Sequence, residues 1–304
     1  MAAEPMVDSE EAVVGPHTSD APNRAGTHLP LAVRSFGLTD PGKVRKTNQD
    51  QFLIATLLKA LQVRQTSLPR PRVQHGRDRS DLFVVADGMG GHAGGEQASA
   101  LAIVSVEAFI LESFKWFAQL TGKGEDNVLV DFKSALCRAN AQILAEAEER
   151  PELHGMGTTL TLAYSLNDVL FVAHVGDSRC YLYRRGVLYQ LTRDHTLVEE
   201  MLRSGALTAE EAEHHRWRHV ITNAVGGDSA DVKVEVHKVH LEAGDAVLLC
   251  SDGTSNMVSD EEIAAILYAE TDPEAVCRRL VARANEAGGK DNITVVLARY
   301  ESVG

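Results

Sequence analysis

Asp81-Leu82-Phe83-Val84-Val85-Ala86-Asp87-Gly88-Met89-Gly90-Gly91-His92 sets an unbroken apolar run between two aspartates and then breaks into glycine. A half-buried strand alternates apolar and polar residues. A short continuous run bounded by turn residues marks a strand covered on both faces. Asp87 therefore closes a buried strand and opens a turn.

Working outward, residues 32–38 and 50–57 read as further strands, and 58–80, with Pro69 and Pro71, as an exposed loop or hairpin extension. Downstream, 95–117 and 127–149 keep their apolar residues on one helical face; Leu129, Phe132, Leu136, Ala139, Ile143 and Ala147 recur at helical spacing. Short strands follow at 158–164, 169–175, 179–184 and 187–191, joined by Asn167-Asp168 and Arg185-Gly186 turns that suit antiparallel hairpins. The segment 196–218 is polar and helical. Strands at 233–240 and 246–250, helices at 260–268 and 273–287, and a last strand at 292–300 complete the pattern. Antiparallel strand groups with helices arriving in pairs predict an α+β fold of sheet layers covered by helices. Residues 1–29 mix acids, Pro, Gly, Ala and His without periodicity and are read as a disordered leader to a domain spanning 30–304.

The chain has 304 residues, 44% apolar and 24% charged, the balance of a soluble globular protein. Its net charge of −13 argues against nucleic acid or an anionic membrane as partner, since both need positive fields. No apolar run is long enough to suggest a membrane span, and no secretory signal is visible. Cys137, Cys180, Cys250 and Cys277 form no C-x-x-C pair and sit in apolar surroundings, as buried free thiols of a reducing cytoplasm. Against the overall charge, residues 57–80 gather Lys59, Arg64, Arg70, Arg72, Arg77 and Arg79 with only Asp78 opposing them. This basic insertion reads either as a solvated loop or as a docking surface for acidic partners.

Asp87, Asp252 and Asp291 all sit where a strand meets a turn. Each alone reads as a turn-former or cap. Together, beside apolar strand ends, they point to a shared cation, because clustered anions next to a core are costly unless paired or metal-bound. Oxygen-only ligation selects Mg²⁺ or Mn²⁺.

From Arg34 to Tyr300 the chain resembles the protein phosphatase 2C family of metal-dependent phosphatases, in its bacterial form. The resemblance rests on motifs in family order: Gly42-Lys43-Val44-Arg45 to Asp50; Asp87-Gly88-Met89-Gly90-Gly91-His92; Gly155-Met156-Gly157-Thr158-Thr159; Gly176-Asp177-Ser178-Arg179; Leu191-Thr192-Arg193-Asp194-His195; Ser251-Asp252-Gly253; and Asp291-Asn292-Ile293-Thr294. It implies a four-layer sandwich, two stacked antiparallel β-sheets flanked by pairs of α-helices. It also implies that Asp87, the Gly88 carbonyl, Asp252 and Asp291 ligate two Mn²⁺ or Mg²⁺ ions, with Asp50 acting through water and Asp177 helping to hold a third ion. Arg45 would bind the substrate phosphate, and 196–218 would be the mobile flap. The implied reaction is hydrolysis of phosphoserine and phosphothreonine in proteins by direct attack of metal-activated water.

Other readings stand beside these roles. Asp177 and Arg179 can pair as a structural salt bridge. Asp194 and His195 fix the turn into the flap. Thr158 and Thr159 support the site through their hydroxyls, and His214, His215 and His219 are solvated rather than ligands. Gln49 stands where the family usually has Glu, keeping the carbonyl without the charge. Met89 replaces a His that eukaryotic relatives carry, which leaves the proton donor open, His92 included. A pseudophosphatase, or a phosphatase of a partner-switching regulator, are the competing functions; retention of all four core aspartates disfavours the first. A freestanding cytoplasmic monomer, acting against a separate serine/threonine kinase, is the expected context.

Overall fold

The computed structural model describes residues 31–62, 65, 73–90, 94–113, 123–213 and 215–303. The predicted leader 1–29 lies outside them. The strands are β1 (Leu31–Asp40), β2 (Asp50–Gln62), β3 (Val73–Met89), β4 (Gly157–Thr158), β5 (Leu160–Leu166), β6 (Val169–Val175), β7 (Arg179–Arg184), β8 (Val187–Gln190), β9 (Val225–Gly226), β10 (Glu235–His240), β11 (Ala246–Cys250) and β12 (Ile293–Ser302). The helices are α1 (Gly94–Ser113), α2 (Lys123–Glu149), α3 (Leu197–Arg203), α4 (Ala209–Glu213), α5 (Asp252–Ser255), α6 (Asp260–Ala269) and α7 (Pro273–Glu286).

Two antiparallel sheets result. One runs β1-β12-β11-β7-β8 and the other β10-β6-β5-β3-β4-β9, with β2 paired to β3. The decisive run explains their stacking. Phe83 and Val85 face the other sheet, packing with Cys180, Leu182, Val247, Leu249 and Val296. Leu82, Val84 and Ala86 face the opposite way, into a core with α1 and α2 that includes Val106, Phe132 and Ile143. A third core lies under α6 and α7, where Ile263, Val276 and Leu280 meet Leu248, Val295 and Leu297. Both faces of each central strand are thus dry, which is why the apolar runs are continuous. The architecture is the expected four-layer sandwich.

Local chemistry sets the joints. Arg185 and Gly186, at φ 51° and 86°, make a two-residue turn that fits the strand twist between β7 and β8. Ser259 and Glu262 cap α6 reciprocally, and the Asp272 side chain caps α7. By length and composition Gly94–Glu112 is apolar enough to cross a membrane, but 56% of that window is buried, against β3 and α2.

Two expectations need correction, and one open alternative is decided. Residues 158–164 do not form one strand: β4 and β5 part at Thr159, whose N–H turns aside to donate to the Asp87 carbonyl at 2.9 Å. Cys137 is exposed on α2, whereas the other three thiols are buried. The strands flanking the basic insertion continue as a ribbon to Gln62 and Val73, so the hairpin-extension reading of 58–80 is the right one for its described part. The rest of that insertion, Arg64, Arg70 and Arg72 included, lies outside the described residues.

Candidate metal centre

The two sheets end at the same edge, and the aspartates gather there. Asp50 begins β2 and pairs directly with Asp87 near the end of β3. In the other sheet, β11 runs into Ser251 and then α5, which starts at Asp252, and Asp291 lies two residues before β12. The Ser251 hydroxyl joins the sheets, donating to Asp50 Oδ2 at 2.7 Å and accepting from the Thr294 N–H at 3.0 Å. Glycines permit the close approach. A Cβ on Gly88 would lie 2.0 Å from the Gly95 carbonyl oxygen, and one on Gly253 would lie 1.9 Å from that of Asn292.

The electrostatics are those of an anion cluster short of countercharge. Burial, followed by the neighbouring carboxylates, raises the Asp87 carboxyl well above its ordinary range. Burial likewise raises Asp50 to about 6, Asp252 to about 7 and Asp177 to about 8, with nearby aspartates adding to each shift. Asp50 Oδ1 and Asp177 Oδ1 are buried and, among the described residues, have no hydrogen-bond partner. Buried carboxylate oxygens left without a proton donor fit a hard cation, and an oxygen-only donor set fits Mn²⁺ or Mg²⁺. A cleft of about 730 Å³ opens over the cluster, lined by Arg45, Asp87, Gly88, Met89, Asp177, Asp252 and Asp291 among others.

Arg45 fronts this cleft, its guanidinium 2.7 Å from Asp291 Oδ2 and its side chain 54% exposed. The loop carrying it is held by a residue to which sequence reasoning gave no role. Asn292 donates to the carbonyls of Pro41 (3.0 Å) and Thr47 (2.9 Å) and accepts from the Gln49 N–H (2.8 Å). Lys43 N–H adds a bond to the Gly289 carbonyl at 2.7 Å. Asn292 and Ser251 each sit beside a ligand candidate in a motif, the one signal that pointed to them. We expect Asn292→Ala to lower the melting temperature by about 6 °C or more. It removes three part-buried hydrogen bonds worth about 1 kcal/mol each, and 1 kcal/mol corresponds to about 2–4 °C in a domain of this size. A thermal melt that matched wild type would remove Asn292 from this role.

The threonine expectation holds. Thr158 Oγ1 donates to the Asp87 carbonyl at 2.9 Å, and Thr159 Oγ1 accepts from the Asp87 N–H at 3.0 Å. Arg179 corrects another expectation: it pairs with Asp194 at 2.7 Å, not with Asp177. Asp177 is thereby left with an unpaired oxygen. His92 and His214 lie outside the described residues.

His174, His195 and Glu235 present ligand atoms within 4.8 Å of one another, but their hydrogen bonds oppose a metal. His174 Nε2 lies 3.0 Å from two carbonyls, Gly176 and Arg193, and so carries a proton, while Nδ1 faces the Thr161 hydroxyl at 2.9 Å. His195 Nδ1 accepts from the Gly176 N–H at 3.1 Å, and the His195 N–H returns a 2.7 Å bond to the Gly176 carbonyl. The group is a brace that pins the start of 196–218 to the loop carrying Asp177.

Residues 72–298 match the family model described as protein phosphatase 2C. The serine/threonine phosphatase stp of Listeria monocytogenes is 34% identical over 263 residues, 86% of this chain and 94% of that protein. PstP of Mycobacterium tuberculosis, a longer protein, is 36% identical over 268 residues, 88% of this chain and 45% of PstP. The crystal structure of the M. tuberculosis phosphatase PstP/Ppp superposes with a TM-score of 0.71 at 34% identity, covering 88% of this chain and 99% of that one. The catalytic domain of PstP in complex with two manganese ions gives 0.69 at 33% identity, covering 90% and 100%. The fold and the carboxylate cluster define a metal-dependent phosphatase architecture. The chain belongs to the protein phosphatase 2C family.

Proposed function

We propose that the chain is a metal-dependent protein serine/threonine phosphatase whose divalent ions are held by Asp87, Asp252, Asp291 and the Gly88 carbonyl, with Asp50 and Asp177 completing the set. The observation that carries this reading is the aspartate cluster at the meeting ends of two sheets, with two buried oxygens lacking a donor among the described residues, directly under an exposed arginine. Bound there, Mn²⁺ or Mg²⁺ supplies Lewis acidity that makes water a nucleophile at neutral pH and screens phosphoryl charge. The residues of the chain do the rest. The Arg45 fork suits two oxygens of a phosphoryl group, which a lysine would meet only as a point charge. Thr158, Thr159 and Ser251 fix the backbone and carboxylates around the reacting position.

This reading also takes the enzyme as a cytoplasmic monomer acting on phosphorylated proteins against a separate serine/threonine kinase. Three buried free thiols support a reducing compartment.

The test is hydrolysis of a phosphothreonine and a phosphotyrosine peptide, with Mn²⁺ and with excess chelator. We expect Mn²⁺-dependent turnover, faster on phosphothreonine; full activity in chelator rejects the mechanism. Arg45→Ala should raise KM for the phosphothreonine peptide by about tenfold or more, the worth of a charge-assisted pair. An unchanged KM would assign phosphate binding to another group.

A further inference from the structure

The cleft carries more positive charge than one phosphoryl group needs. Besides Arg45, its lining includes Lys46 from the loop after β1, Arg218 and His219 from the segment after α4, and Lys290 beside Asp291. Three separate stretches of chain therefore bring cations to one rim. Their state differs from that of most arginines whose side chains are described. Arg138, Arg179, Arg184 and Arg283 each have a carboxylate within 3 Å. Among the described residues, Lys46, Arg218 and Lys290 form no ion pair. Arg218 instead points its Nε at the neighbouring His219 Nε2, 3.0 Å away. In a chain of net charge −13 carboxylates are abundant, yet these cations stand unpaired among the described residues over a cleft whose floor is anionic. Partial burial, then Arg218, and more weakly Lys290, push the His219 imidazole below its ordinary value against the opposing pull of Asp291, so Arg218 and Lys290 act on one point of the rim, and Lys46 lines the same cleft. The loops beneath are stiff: Asn292 and the Lys43–Gly289 bond lock the stretch bearing Lys46 to the stretch bearing Lys290.

We propose that Lys46, Arg218 and Lys290 form a second anion subsite, which reads a negatively charged group next to the phosphoresidue being hydrolysed. This rests on the phosphatase reading of the cleft. The scissile phosphoryl group faces Arg45 and the aspartate floor, and the rim remains to meet the flanking side chains. Two groups share the required chemistry, a carboxylate and a second phosphoryl group, and the second suits a cluster of several cations better because it carries more charge and three acceptor oxygens.

The experiment compares three phosphothreonine peptides of one length, with neutral, Asp/Glu or second-phosphothreonine flanks, on Mn²⁺-loaded wild type and on Arg218→Gln/Lys290→Gln and Lys46→Gln variants. The readout is the ratio of kcat/KM between anionic-flank and neutral-flank peptides, taken within each variant so that loss of folded or metal-loaded enzyme cancels. We expect wild type to favour at least one anionic flank by about fivefold or more at low salt, as several exposed ion pairs allow, with the advantage shrinking as salt rises. The double variant should bring the ratio within about twofold of one. Preference for both flanks identifies acidic sequence context as sufficient, and preference for the diphosphorylated peptide alone identifies the second phosphoryl group. A wild-type ratio near one, or a ratio that survives the double substitution, overturns the subsite while the neutral peptide is still hydrolysed. Failure to hydrolyse the neutral peptide with Mn²⁺ overturns the phosphatase reading itself.

Discussion

Asp87→Asn and Asp252→Asn will each cut Mn²⁺-dependent hydrolysis of an aryl phosphate by about two to three orders of magnitude or more, and will raise the melting temperature of the metal-free protein. The first effect follows from the several kcal/mol of charge stabilisation a bound ion provides, at about 1.4 kcal/mol per tenfold in rate. The second follows from the same carboxylates having no cation to face. Asp87 and Asp252 are raised by burial and by Asp50 or Asp291, so ionising them in the metal-free fold is uphill. Removing one charge relieves that repulsion, and a gain of about 3 °C corresponds to roughly 1 kcal/mol in a domain of this size. Melting curves in chelator and activity with Mn²⁺ check both signs together. Lower metal-free stability in both variants would mean that the carboxylates are structural. Wild-type activity in both would remove them from the chemistry.

The half-saturating Mn²⁺ concentration will fall by about tenfold per pH unit between pH 6 and 8, because ligand carboxylates must lose protons to bind a cation. Asp50, Asp252 and Asp177 are raised to about 6, 7 and 8, which sets this window. Stability without metal should move the other way. In the unfolded chain these groups ionise near the ordinary value of about 4, while the fold holds their protons to higher pH. The metal-free protein therefore binds more protons than its unfolded form across that interval and loses stability as pH rises through it. Two other shifted groups do not interfere. His174, pushed down by burial to about 4, and Glu235, held below the usual carboxylate range between His195 and His237 despite its burial, both titrate lower. Melting in chelator at pH 6 and pH 8, set beside the same pair with Mn²⁺, decides the matter. We expect the metal-induced increase in melting temperature to be larger at pH 8. Equal increases, with a Mn²⁺ midpoint that ignores pH, would exclude the protonated cluster.

The amino-acid sequence by itself determined the layers and the place of the site. Continuous apolar runs such as 82–86 can be dry on both faces only inside a stack, and that information is local. So is the position of Asp87, Asp252 and Asp291 at strand ends, since Asp-Gly after Asp87 and Asp252, and Asp-Asn at Asp291, read as turns beside apolar runs. Tertiary structure alone decided the partners. The sequence offered Arg179 a neighbour in Asp177, but the β7–β8 hairpin and the turn after it delivered Asp194 instead. Thr159, inside an apparently continuous strand, breaks it because Asp87 is there to receive its N–H. Asn292 becomes the clasp of the Arg45 loop through bonds to residues some 250 positions away. Cys137 reads as buried from its apolar neighbours, yet its angle on α2 turns it outward. A hydrogen bond or ion pair is specified by direction and by distances near 3 Å. Those quantities exist only once elements remote in the chain have been packed together, whereas burial is already encoded in the order of polar and apolar residues along a single strand.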